Sequence, residues 1–550
     1  MPDSADTRPP ETPEGLRPAS ENPWYILMTL HDEQKGELID RVLHEKNRRA
    51  WNAWSGQTLS AEERAAAAKS SKIDVAELEA WEDLSEEIKA RFAAEYRRRN
   101  PEVGTVPDLP KATRLIDMSS TYFANTLVLD GFVFASEASF ILANFMRTAR
   151  FASATFMSAT LFDSATFKLD ALFDTTTFRR DVLFHSATFA SDAMFEAATF
   201  VQAVWFAFVT FRQSAEFDYT TFTQDAVFVE ATFSSNASFD SATFQQSASF
   251  SSATFKQDAW FASVTFTQDA DFCAATFAQN AQFKSASFSG FAYFTGTRFG
   301  SSTEEPCIPD FSDCLFEKPT SFRQALFCDG YPDFSGAVLH DKTSFTARMK
   351  PTPNEIKRDK DLKGRTFWPQ KTQQDPVSAR ESCATIRHVL TQQGLPEDAH
   401  FFFRREMHFA GLPSEDCAGL SSEGRSKERS FTERLPYLLF GWLSDFGYSI
   451  QRPLVWLLCL WAFGGAAFWG YLASCCVPAP PGVVERPMGT AMALSFSNLF
   501  PLFGFGRGAL GEILDEMPPV LQVLSGAQTV LSLPLLFFLG LALRQRFRLR

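Results

Sequence analysis

The sequence predicts a multidomain chain: an α-helical N-terminal region, a β-solenoid through the middle and a two-helix transmembrane hairpin near the C-terminal end. Three observations carry this reading. Phe is far in excess, 59 residues against 11 Trp and 9 Tyr, and such bias marks a repeat in which one position always takes the same side chain. From Phe123 to Phe299 it recurs at gaps alternating between six and five, with Leu129 standing in once, so the period is 11. Residues 455–477 and 520–543 form runs of 23 and 24 without a charged side chain. Each is longer than the ~20 residues that cross ~30 Å of hydrocarbon.

At 550 residues the chain holds several units of ~150 residues. Its net charge of −13 argues against nucleic acid as a partner, because sequence-independent binding needs a basic surface. Nine Cys without a C-x-x-C spacing form neither a disulfide framework nor a zinc site, so no metal and no cofactor are expected. Residues 1–22, rich in Pro, Glu and Asp, read as a disordered tail and lack the apolar core of a signal peptide.

Residues 23–108 read as an α-helical cap or docking domain. Asn22-Pro23 is a helix start, and Trp24, Ile26, Leu27, Leu38, Ile39, Val42 and Leu43 follow largely at spacings of three and four. A second helix over 74–99 opens on acids and closes on Arg97, Arg98 and Arg99, as the helix dipole favours.

An 11-residue period can be helical, but Ser- and Thr-rich spacers are poor helix formers. The position two before each Phe is small, as in Ala154, Thr160, Ala165, Ala171 and Thr176. Two-residue spacing puts both side chains on one side of an extended segment. Polar pairs between them supply corners; Asp181, Asp192, Asp225, Asp258 and Asp269 read as turn formers there. Stacking such coils sets Phe on Phe inside and leaves a polar exterior.

The units read A-T-F-M-S (154–158), A-T-F-A-S (187–191), A-S-F-D-S (237–241) and A-T-F-K-Q (253–257). Over residues 111–346 this pattern resembles the pentapeptide-repeat family. The resemblance implies a right-handed quadrilateral β-helix with four units per coil. One extra residue in alternate units makes 22 residues per coil instead of 20, taken up by bulged corners on two opposite sides. Sixteen 11-residue repeats then give eight coils, about 38 Å at ~4.8 Å each. The register breaks over 300–310 and resumes at Phe311 in a looser terminal cap.

Residues 347–376 read as a linker, 377–410 as a helical hairpin around Gly394, and 430–451 as a juxtamembrane amphipathic helix carrying Tyr437, Phe440, Trp442 and Phe446. Residues 452–478 and 519–543 are the two transmembrane helices. Arg429, Arg434 and Arg452 precede the first; Arg544, Arg546, Arg548 and Arg550 follow the second; the connection holds Glu485, Glu512, Asp515 and Glu516 against Arg486 and Arg507. The positive-inside rule therefore predicts cytoplasmic termini, in a bacterial cytoplasmic (inner) membrane.

Between the spans, residues 488–507 read as a re-entrant pore-like loop: an apolar helix too short to cross, then Gly504, Phe505, Gly506 and Arg507. Non-helical backbone at membrane depth is tolerated where it is buried or lines a cavity, and alternating glycines turn carbonyls toward such an axis. Span, short helix, G-F-G and span together resemble the two-transmembrane potassium-channel pore module. The match to that family's filter is Gly504, Phe505 and Gly506; Leu502 stands at its ion-ligating Thr, Phe503 at its Val, and Arg507 at its acidic outer residue. The resemblance implies a homo-oligomeric pore, most simply a tetramer.

The sequence has no G-x-S-x-G elbow, Walker A loop, dinucleotide fingerprint or H-E-x-x-H pair, so an enzyme is not expected. The expected partners are the lipid bilayer, further copies of the chain and an unidentified protein. The reading is thus a membrane-anchored repeat protein with an ion-channel-like module and a cytoplasmic solenoid that senses or scaffolds. The alternatives are a non-conducting tethered scaffold and a DNA-mimic inhibitor. The last is suggested by 14 acids against 7 bases over 151–300, since some proteins of the resembled family look like DNA.

Overall fold

Short strands recur every five or six residues through the Phe-rich region, and each pairs in parallel with the strand 22 residues further on, as Thr166↔Thr188 and Phe167↔Phe189 do. The computed structural model describes residues 12–36, 38–300, 306–370, 372, 374–412, 431–474, 487–501, 511–515 and 517–547. The pairings build four parallel sheets of 11, 11, 8 and 9 strands, a solenoid of about ten coils. Coils lying before Phe123 and after Phe299 extend the eight counted from the strict repeat.

The corners explain the 11-residue period. Between Phe151 and Phe156, Ala154 N donates to Phe151 O at 2.9 Å and Ser153 adopts φ 55°. This is a two-residue turn with a left-handed second residue, and it returns every 11 positions at Ser164, Thr175, Ser186 and Ala197. Gly131 and Gly296, with φ 72° and 71°, hold the same place. The alternate corners, such as 157–159, take three residues and absorb the extra one. Many corner Asp residues also clamp successive coils: Asp192 Oδ1 accepts from Ser214 N at 3.1 Å, and Asp258 Oδ1 from Asn280 N at 3.2 Å.

Inside, every Phe of the ladder is essentially inaccessible. Phe167 stacks on Phe189 at 4.7 Å and 0°, and Phe151 on Phe173 at 4.7 Å and 1°. Neighbouring columns meet edge-on, as Phe162 and Phe173 do at 5.6 Å and 84°. The stacking distance matches the ~4.8 Å strand spacing, so one side chain satisfies coil packing and ring packing together. Where Thr replaces the small inward Ala, its hydroxyl is satisfied: Thr220 Oγ1 donates to Phe195 O at 2.6 Å.

A solenoid needs its open ends covered, because unpaired strand edges invite association. At the N-terminal end, Trp51 and Asn52 on the helix Arg41–Gly56 do this. Trp51 Nε1 donates to Val133 O at 2.9 Å, Val133 N to Asn52 Oδ1 at 2.9 Å, and Asn52 Nδ2 to Gly131 O at 3.2 Å. Arg17–Pro18 adds a short strand against Thr121–Phe123. Residues 17–21 are therefore ordered, where composition alone suggested a tail.

At the other end, Trp368 continues the ladder on Phe327 at 4.8 Å and donates from Nε1 to Thr346 O at 2.7 Å. The stretch read as a linker thus supplies the closing cap, including the helix Pro353–Arg358. The chain divides into two units, Met1–Gln374 with Glu381–Phe401, and Asp375–Arg380 with Phe402–Arg550.

The second unit contains the helices Phe431–Ser444, Gln451–Leu472, Pro487–Leu499 and Pro519–Phe547. Two of them, of 22 and 29 residues, are long and apolar enough to cross a membrane. The first ends at Leu472, short of the 478 expected from hydropathy. Its side chains Leu454, Val455, Leu458 and Phe463 are exposed, and so are Val523, Val530 and Phe537 on the second.

Candidate functional site

The solenoid interior leaves no room for a ligand among the stacked rings, so its outer walls carry the chemistry. Two of the four walls present Thr columns, for example Thr166–Thr188–Thr210 and Thr177–Thr199–Thr221. A third presents Arg150, Leu172, Met194, Glu216 and Ser238 in register. Acids gather around this third column. Burial pushes the Glu216 carboxyl above the usual range, and Asp218, Asp192, Asp174 and Glu196 add to the shift. Asp174 and Asp240 are raised for the same first reason, burial.

The fourth wall differs in kind. Its outward column reads Ser139, Leu161, Leu183, Trp205, Val227, Ser249 and Asp271. Four successive coils are apolar where those on either side are polar.

A cavity of 320 Å³ opens near the C-terminal end of the solenoid, lined in part by Thr276, Arg298, Gln324, Glu355, Arg358 and Leu362. Arg298 replaces the Thr of its column. Burial raises the Glu355 carboxyl, but hydrogen bonds from Thr352, Gln324 and Arg348 outweigh it and hold the group at about 2. Glu355 is thereby committed to its neighbours. Among the described residues no cluster of His, Cys, Asp and Glu could hold a metal ion.

A family model described as pentapeptide repeats (9 copies) matches residues 228–272 of this chain. No curated protein and no solved structure matches it. The matched segment lies in the regular part of the solenoid, and together with the stacked coils it supports the repeat family.

In the second unit, the 13-residue helix Pro487–Leu499 packs against both long helices. A polar cluster sits where they meet. Gln528 Nε2 donates to Ser495 Oγ at 2.6 Å and to Leu460 O at 3.1 Å; Asn498 Nδ2 donates to Gln528 Oε1 at 3.1 Å. Ser495 Oγ donates on to Trp461 O at 2.7 Å. Gly464 makes the approach possible, since a Cβ there would lie 2.6 Å from Gln528 Nε2 and 2.7 Å from Ser495 Oγ.

The residues singled out from the sequence, Gly504, Phe505, Gly506 and Arg507, lie outside the described residues. The sequence reading had not picked out Gln528, Ser495 and Asn498. A Gln within an uncharged span was the available signal, because a polar side chain in hydrocarbon must find a partner.

Proposed function

We propose that this protein is a membrane-anchored interaction scaffold, its solenoid walls binding a protein partner and its two apolar helices holding it in a bilayer. The observation that carries the reading is the pairing, in one chain, of a fully packed Phe-ladder solenoid with two spanning-length helices that expose apolar side chains. A filled interior leaves recognition to the walls, and repeat walls offer extended binding surfaces. The Arg flanks favour cytoplasmic termini in a bacterial cytoplasmic membrane. Tags at the two ends should both resist protease in intact spheroplasts and both be cut after permeabilisation. Cleavage of one tag alone in intact cells overturns the hairpin arrangement.

A second reading, an ion-conducting oligomer, is favoured by the short helix Pro487–Leu499. At 13 residues it spans about 20 Å, too little to cross, and it leads toward Gly504-Phe505-Gly506. Liposomes holding the full chain would then pass ions, most simply through a tetramer, and the Gly504→Asp variant would not. Equal leakage in both, or flux from protein shown to be monomeric, rejects this reading.

A further inference from the structure

The apolar wall carries the inference furthest. Leu161, Leu183, Trp205 and Val227 point outward from four consecutive strands, and each is half-buried, with Ser139 and Ser249 closing the column at its ends. The adjoining corner adds Phe208, which is 46% exposed. Phe208 sits at φ 58°, the left-handed position that Ser164, Ser186 and Ser252 fill in other coils. A bulky residue is disfavoured there, and its ring leans on His185 at 5.2 Å instead of entering the core. An exposed Phe in a conformation that disfavours it, beside a Trp, has the makeup of an interface anchor.

Charge marks what such a surface takes. Asp163 and Glu230 stand along one edge of the strip, Asp181 and Asp225 along the other. The Asp163 carboxylate is held beside His185, whose backbone hydrogen-bonds it. Arg179 and Arg180 stand on the second edge beside Asp181, so the rim sets four acids against two arginines and is acidic on balance. The strip runs about 19 Å over four coils, the length of a helix of roughly 13 residues.

We propose that this wall docks one α-helix of a protein partner, aliphatic on its buried face and bearing Lys or Arg along its edges. The assignment rests on the scaffold reading and names its face and its partner class.

The test uses the full chain in zwitterionic nanodiscs and a fluorescent amphipathic Leu/Lys helical peptide, with a Leu/Glu counterpart and empty discs as controls. The Trp205→Ser/Phe208→Ser double variant installs residues that other coils already carry at these positions, and circular dichroism checks that it stays folded. The expected result is binding of the Leu/Lys peptide that the variant weakens at least about tenfold, and a similar preference over the Leu/Glu peptide. Equal binding by the variant, equal binding of the two peptides, or no binding above empty discs overturns the proposal. Self-association of the wild type that the variant loses also overturns it, by making a second copy the occupant. If instead a Leu172→Ser/Met194→Ser variant alone loses the peptide, the scaffold reading stands and only this face is wrong.

Discussion

At the scale of single residues, the ladder concentrates stability in identical side chains. Phe195 stacks on Phe173 and on Phe217, each at 4.8 Å and 2°. Phe195→Ala removes a ring from a closed column and should cost about 3–5 kcal/mol, read from chemical denaturation of the full chain. Thr220→Ala should be nearly silent in the same assay, because Phe195 O keeps the N–H of Ala198 at 3.0 Å once the hydroxyl is gone, and Ala already fills the matching place at 154, 198, 242 and 286. Glu216 gives the opposite sign. Its folded-state carboxyl is raised, by burial first and then by Asp218 and its neighbours. Its ionised form therefore weakens the fold above that raised value, and stability returns as pH falls through it toward the ordinary carboxylate value. Glu216→Gln should raise the thermal midpoint at neutral pH, with the advantage fading by about pH 4. A midpoint gain that persists unchanged in acid would contradict this origin.

At the scale of elements, ends and junctions decide more than repeats do. Asn52→Leu strips Val133 N and Gly131 O of their partners, a loss of about 1–3 kcal/mol. The exposed first strand should then promote self-association visible in light scattering. In the second unit, Gln528→Leu removes the acceptor of Asn498 Nδ2 and the donor to Ser495. Loosening of the short helix by about 0.6–2 kcal/mol is expected, measured as a lower SDS unfolding midpoint. The coils were legible in the sequence because each carries the same local rule, a small residue two before a Phe. The caps were not. Trp51, Asn52 and Trp368 act on strands tens of residues away, and no local period announces a side chain that substitutes for a missing strand. The polar cluster was hidden for the same reason: Gln528 and Ser495 meet across 33 positions.

At the scale of the whole molecule, two kinds of burial meet in one chain. The solenoid buries its apolar surface within itself, ring on ring. The helices Gln451–Leu472 and Pro519–Phe547 leave most of theirs facing outward, and a bilayer is the surrounding that suits such a surface. Alkaline carbonate extraction of membranes from cells making the full chain tests this most directly. The protein should stay with the pelleted membranes and be released by detergent. Quantitative recovery of folded protein in the carbonate supernatant would contradict that placement.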